Sequence, residues 1–185
     1  AGAHDANPLI YVLNREGEVT RTFEQAINDD RRGLRDLSWD GELLWGAVND
    51  SIFGFTTQGE VIHRWQGPLR YHSGITWDPD REVLWICYTT DNPIAFTKEG
   101  EIVEGLEIDR RGLRIYGLAY FPDDPDGYPV YAFHKEADTN RQTVHKFNPE
   151  TSDTLFVTYL EPQEGGTPEG MFITNQFDVY SWVLM

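Results

Sequence analysis

The chain is 185 residues long and carries 31 Asp and Glu against 15 Lys and Arg, a net charge of −16. That balance argues against a general nucleic-acid binder, whose phosphate contacts need clustered Lys and Arg, and no apolar run reaches the roughly 20 residues that span a bilayer as a helix. The length suits one domain with a core of its own, a single Cys87 excludes an internal disulfide, and 6 Trp, 9 Tyr and 10 Phe supply the broad contacts that hold packed sheets together.

In chain order, residues 1–7 form a small polar lead with no uncleaved signal peptide, so an exported protein would already have lost its leader. Pro8 to Phe23, PLIYVLNREGEVTRTF, gives two strands turning at Gly17. After the connection Glu24 to Leu34, Leu37 to Trp65 reads LSWDGELLWGAVNDSIFGFTTQGEVIHRW, four short segments of alternating apolar character separated by WDG, ND and QG turns. That is one four-stranded antiparallel sheet. Gly74 to Leu106, GITWDPDREVLWICYTTDNPIAFTKEGEIVEGL, repeats it about 40 residues on. A third pass has longer turns: GLAYFPDDPDGYPVYAF from Gly117, then TVHKFNPETSDTLFVTY to Tyr159.

Trp45, Trp85 and Tyr131 fall at one equivalent position, Phe55, Phe96 and Phe147 at another, and Trp65, Leu106 and Tyr159 close the units. The first strands match only the last half of a unit, with Leu13 at the Phe55 position and Phe23 at the Trp65 position. Gly170 to Leu184, GMFITNQFDVYSWVL, matches only the first half, with Tyr180 at the Trp45 position and Trp182 at that of Ala47 and Cys87. The expected fold is all-β: a β-propeller of four-stranded antiparallel blades, four in number, closed by pairing the N- and C-terminal half-blades. The alternative is part of a larger propeller. Blades are expected at 33–70, 71–113, 114–165, and 166–185 together with 7–32.

Strand alternation places the connections between blades, and the turns between second and third strands, on one face of the ring. Nine of the 15 cations fall there: Arg31, Arg32, Arg35, Arg70, Arg110, Arg111, Arg114, Lys135 and Arg141, joined by His72 and His134. The string DRRGLR occurs twice, at Asp30 to Arg35 and Asp109 to Arg114. Its planar guanidinium forks suit carboxylate, sulfate or phosphate, although adjacent Asp29, Asp30, Asp36, Glu107 and Asp109 give the same arginines a structural use as clamps between blades. The candidate ligand-binding residues are Arg32, Arg35, Arg70, Tyr71, His72, Arg111, Arg114, Tyr116 and His134. Catalytic and metal-binding residues are not assigned. The turn PDDPDG, Pro122 to Gly127, is rich in carboxylates but lacks the spacing of a calcium loop, and the five histidines have no zinc spacing. No cofactor is expected, with calcium at that turn the one alternative.

The phrases LSWDGELLWGAVNDSIFGFTTQGEV and GITWDPDREVLWICYTTDNPIAFTKEGEI resemble the blades of secreted bacterial β-propeller repeat proteins, of NHL or YVTN style, often found beside sorting or adhesion modules. The resemblance covers residues from about Pro8 to Leu184 and implies an exported or surface-attached module. The expected function is therefore noncatalytic recognition of a protein, glycan or anionic ligand through the Arg-bearing face, in an extracellular, cell-surface or periplasmic setting. One alternative is a structural subunit of a surface assembly in which copies of the same chain pair. The other is an enzyme resembling propeller lactonases or glutaminyl cyclases. Neither nucleic acid nor membrane insertion is expected.

Overall fold

A computed structural model describes residues 8–25, 33–139, 141–161, 169–178 and 180–185. The described residues contain strands and turns but no helix. Three four-stranded antiparallel meanders follow one another along the chain. Blade 1 is β3 (Leu37–Trp39), β4 (Leu44–Val48), β5 (Ser51–Phe55) and β6 (Val61–Gln66). Blade 2 is β7 (Gly74–Asp78), β8 (Val83–Cys87), β9 (Ile94–Phe96) and β10 (Ile102–Glu107). Blade 3 is β11 (Ile115–Tyr120), β12 (Val130–Lys135), β13 (Gln142–Phe147) and β14 (Thr154–Leu160). This is the repeating unit of a β-propeller. Two hairpins flank the blades: β1 (Leu9–Leu13) with β2 (Val19–Glu24), and β15 (Ile173–Thr174) with β16 (Val183–Leu184).

The burial of each strand follows from its place in the blade. Second strands lie between two neighbouring sheets, so β8, VLWIC, is buried along its whole length. Outer strands keep one wet face, and β6, VIHRWQ, alternates residue by residue. The register confirms the repeat: Trp45 stands opposite Ser38, Trp85 opposite Thr76 and Tyr131 opposite Ala119. Each of these rings fills the space toward the next sheet. Trp45 packs with Ile75, Leu84 and Phe96 of blade 2. Trp85 packs with Leu118, Val130 and Phe147 of blade 3, and Tyr131 with Met171 and Ile173.

Each ring is also fastened by a carboxylate. Trp45 Nε1 donates to Asp40 (2.8 Å), Trp85 Nε1 to Asp78 (3.0 Å) and Tyr131 Oη to Asp124 (2.7 Å). Every one of these aspartates meets a cation: Lys98 Nζ lies 2.6 Å from Asp40, Arg81 Nη1 3.2 Å from Asp78 and Lys146 Nζ 2.9 Å from Asp124. The Trp-Asp dipeptides and the PDDPDG turn are thus one device, an acidic turn gripping the aromatic of its own second strand. In PDDPDG the carboxylates of Asp124 and Asp126 converge on the Lys146 ammonium. Burial alone would raise Asp124, yet the Tyr131 hydroxyl, the Tyr128 N–H and Lys146 together hold it below the usual carboxylate range.

At the rim, the last aromatic of one sheet lies on the hairpin glycine of the next. A β-carbon on Gly59 would stand 2.6 Å from the Phe23 ring, and one on Gly100 2.6 Å from Trp65. Gly59 also adopts φ +92°, Gly17 adopts φ +83° in the equivalent turn, and only Gly17 has open space around it. Gly59→Ala is therefore expected to lower stability by about 2–3 kcal/mol and Gly17→Ala by about 1 kcal/mol, read from urea unfolding midpoints.

The terminal hairpins differ from the expectation in their pairing. They form two separate two-stranded sheets, and no ladder joins them among the described residues. The hairpin β1–β2 packs Ile10 and Phe23 on Phe53 and Phe55 of blade 1, whereas β15–β16 packs Ile173 and Leu184 on blade 3. Both therefore stand in the sector between blade 3 and blade 1. Two-residue β16 offers too few backbone groups to bind β1. Leu13, at the position of buried Phe55, is left 56% exposed.

Tyr180 does not take the Trp45 position. It is 94% exposed, and Met185 stands there instead, exchanging both backbone hydrogen bonds with Phe172 (2.9 and 2.8 Å). β15 ends at Thr174 and β16 starts at Val183, a wider sequence separation than that between β3 and β4, which displaces the match. Trp182 accordingly precedes β16, against Phe121 at 4.8 Å between ring centroids, and is not at the Ala47 position. Tyr159 is also displaced, by one residue. The turn before β14 is only one residue longer than that before β6, and each ladder holds one bulge, so Thr158 stands opposite Val144 as Trp65 stands opposite Ile52, and Tyr159 stacks on Phe156 at 4.7 Å.

Candidate functional site

Asp36, just ahead of β3, is matched by Gly74 at the start of β7, Gly117 within β11 and Gly170 in the lead-in to β15. The Asp36 carboxylate is fully buried at their meeting point and accepts N–H bonds from Leu37 (3.1 Å), Ile75 (3.1 Å), Leu118 (2.9 Å) and Met171 (3.2 Å). One residue of every inner strand or its lead-in is thus tied to a single side chain. Gly170 makes room for it, since a β-carbon there would lie 2.6 Å from Asp36 Oδ1, while one at Gly117 would meet the Glu169 carbonyl at 2.4 Å. Burial pushes the Asp36 carboxyl up to about 8, against the downward pull of the four donors. Both oxygens are spent on backbone, so this acid holds the ring together at its axis.

The described candidates have different surroundings. Arg35, next to Asp36, is half-buried and lines a cleft of about 500 Å³ between blade 1 and the β15–β16 hairpin. Arg70 is exposed, with its guanidinium carbon 5.3 Å from the ring centroid of exposed Tyr71, which meets Tyr88 at 5.5 Å. His72 is buried, and its Nδ1 donates to the Asn49 carbonyl at 2.5 Å. Burial lowers its pKa, only partly offset by the Asn49 carbonyl and the acids Asp50 and Asp91. Arg111 donates from Nε to the Ser152 carbonyl (3.1 Å) while the Asp109 N–H donates to Ser152 Oγ (2.9 Å), so this second DRRGLR loop clamps blade 2 to the outer hairpin of blade 3. The Arg114 N–H donates to Nδ1 of buried His134 at 2.9 Å. Burial lowers His134 as well. Tyr116 is half-buried just ahead of Gly117. Arg32, with the rest of the first DRR, lies outside the described residues.

The second DRRGLR loop meets the outer hairpin of blade 3 at Ser152, whereas Arg35 lies beside Asp36. Among the described residues no group of three or more His, Cys, Asp and Glu is placed to hold a metal ion.

The cleft itself was not legible as a site. It runs from Arg35 and Glu169 past Leu37, Leu44 and Met171 to Trp39, Phe172 and Met185. Trp39 and Phe172 are 43% and 46% exposed. The signal that could have found it is the decay of the last repeat, where Ile173-Thr174 stands in place of Trp39-Asp40 and Trp77-Asp78.

No family model matches the chain, and no curated protein matches it either. Solved structures match its fold. Glutaminyl cyclase of Myxococcus xanthus is 13% identical, with a TM-score of 0.60 over 86% of this chain and 69% of that one. The WD40 domain of Neurospora crassa Pan2 is 12% identical, with a TM-score of 0.56 over 84% of this chain and 44% of that one. Hydrazine synthase of Kuenenia stuttgartiensis is 18% identical, with a TM-score of 0.53 over 77% of this chain and 41% of that one. The chain thus spans less than half the length of the last two. At these identities the likeness establishes a β-propeller and nothing finer. The scaffold itself serves interaction modules and enzymes alike.

Proposed function

We propose that the chain is a noncatalytic binding module of the extracellular space or cell surface, recognising a partner protein through the cleft between blade 1 and the final hairpin. The observation that carries this is the cleft's make-up: about 500 Å³, walled by exposed Trp39 and Phe172, with Arg35 at one end. That volume is the size of a binding pocket, and Trp and Arg are the residues that dominate binding energy in protein interfaces. The engagement of both Asp36 oxygens by backbone N–H groups supports a noncatalytic role for the axis. An acidic surface suits an exported, soluble protein. Likeness to a WD40 domain is consistent with protein recognition but does not select it.

The test is a double variant, Arg35→Glu with Trp39→Ala, screened beside the wild type on peptide and glycan arrays. Loss of an interface anchor costs about 2 kcal/mol, roughly 30-fold in affinity. Ligands of the wild type are expected to bind the variant at least about 30-fold more weakly, with an unchanged urea midpoint. Undiminished binding would place the recognition surface elsewhere.

A further inference from the structure

We infer that this cleft is a socket for one aromatic side chain, of indole size, supplied by the partner protein. The inference rests on the proposed function and on the internal repeat of the fold. Three spaces between consecutive sheets are each filled by a ring from the second strand: Trp45, Trp85 and Tyr131, each bonded to an aspartate. The fourth space lies between β15–β16 and blade 1. Its register, Thr174 opposite Val183 and Ile173 opposite Leu184, puts Met185 where the ring belongs and Thr174 where Asp40 and Asp78 stand. Met185 is 63% exposed and lines the cleft without filling it.

The missing ring leaves an open space beside Met185 that Leu37 and Leu44 wall, while Phe55, the counterpart of Phe96, is covered by Ile10 and Phe23 of the first hairpin. Leu37 and Leu44 on the blade 1 side correspond to the residues that receive Trp45 on blade 2, Ile75 and Leu84. Apolar walls of this kind take up a flat hydrophobic group and gain from its burial. The polar end at Arg35 and Glu169 then faces the main chain that carries the ring. Tryptophan is favoured over leucine, because the equivalent positions in blades 1 and 2 hold indoles.

The experiment titrates the intact chain with indole, N-acetyl-tryptophanamide and N-acetyl-leucinamide, following nuclear magnetic resonance shifts and the thermal midpoint. Binding of indole and of the tryptophan amide, at least about 10-fold tighter than the leucine amide, is expected. Met185→Trp supplies the ring from within, so it is expected to raise the thermal midpoint and weaken indole binding at least about 10-fold. The wild-type titration stands whether or not that variant folds. Absence of indole binding, equal binding of leucine and tryptophan amides, or concentration-dependent dimers that exclude indole would each overturn the socket, the last by showing a second copy in it. Partners that bind through Arg35 and Trp39 but carry no essential aromatic residue would overturn the socket and leave the proposed function standing.

Discussion

Replacing Asp36 with alanine is expected to remove most of the domain's stability. Four backbone N–H groups, of Leu37, Ile75, Leu118 and Met171, would lose their acceptor inside a fully buried site. Each unsatisfied donor costs about 1–3 kcal/mol, and the sum of at least about 4 kcal/mol compares with a typical total of about 5–15 kcal/mol. Asp36→Asn keeps one oxygen as acceptor but turns an amide toward the remaining donors, so an intermediate loss is expected. The pH dependence separates charge from hydrogen bonding. With the native carboxyl raised from an ordinary 3.8 to about 8, the folded chain holds this proton to higher pH than the unfolded chain does. Its contribution is then fully present below about pH 4 and is lost as pH rises toward 8. Urea midpoints of wild type minus Asp36→Asn are expected to fall across that window. A rise instead would show that the four donors outweigh burial and keep the carboxylate charged.

Blades 1 to 3 are legible in the sequence because their signals are local and repeated. A Trp-Asp turn or its PDDPDG counterpart and an apolar second strand recur in all three, with a Gly-Glu hairpin in blades 1 and 2, and the register of Trp45, Trp85 and Tyr131 follows from them. The last hairpin is less legible. Its two strands stand further apart in sequence, and aromatic identity pulled Tyr180 onto a position that backbone pairing gives to Met185. Tyr159 was misplaced in the same way, its aromatic identity matching Trp65 while the ladder gives that position to Thr158. The role of Asp36 is half visible. Its equivalence with glycines at two other strand starts can be read from the repeat, but its reach into all four positions depends on how tightly the strands meet at the axis. The cation count illustrates the limit of polarity arguments: strand direction assigns a face but not a distance from the axis, and Arg35 beside Asp36 and Arg111 on the Ser152 hairpin have different neighbours.

Trp85→Ala is expected to be the most damaging change away from the axis, costing about 3–5 kcal/mol. The indole is wholly buried between blades 2 and 3, among Val83, Ile108, Leu118, Val130 and Phe147, and these residues sit on two sheets that cannot both collapse into the space it leaves. Trp85→Phe separates packing from bonding, since it keeps much of the ring and removes only the N–H donated to Asp78 at 3.0 Å. Asp78 would still hold the Asp80 and Arg81 N–H groups and the Arg81 guanidinium, so the loss attributable to the missing bond is expected near 1 kcal/mol. Chemical denaturation of the two variants beside wild type gives both numbers. If alanine cost no more than phenylalanine, the blades would be held together by their acidic turns and not by the rings those turns grip, and filling the fourth space with Met185→Trp would then bring no gain.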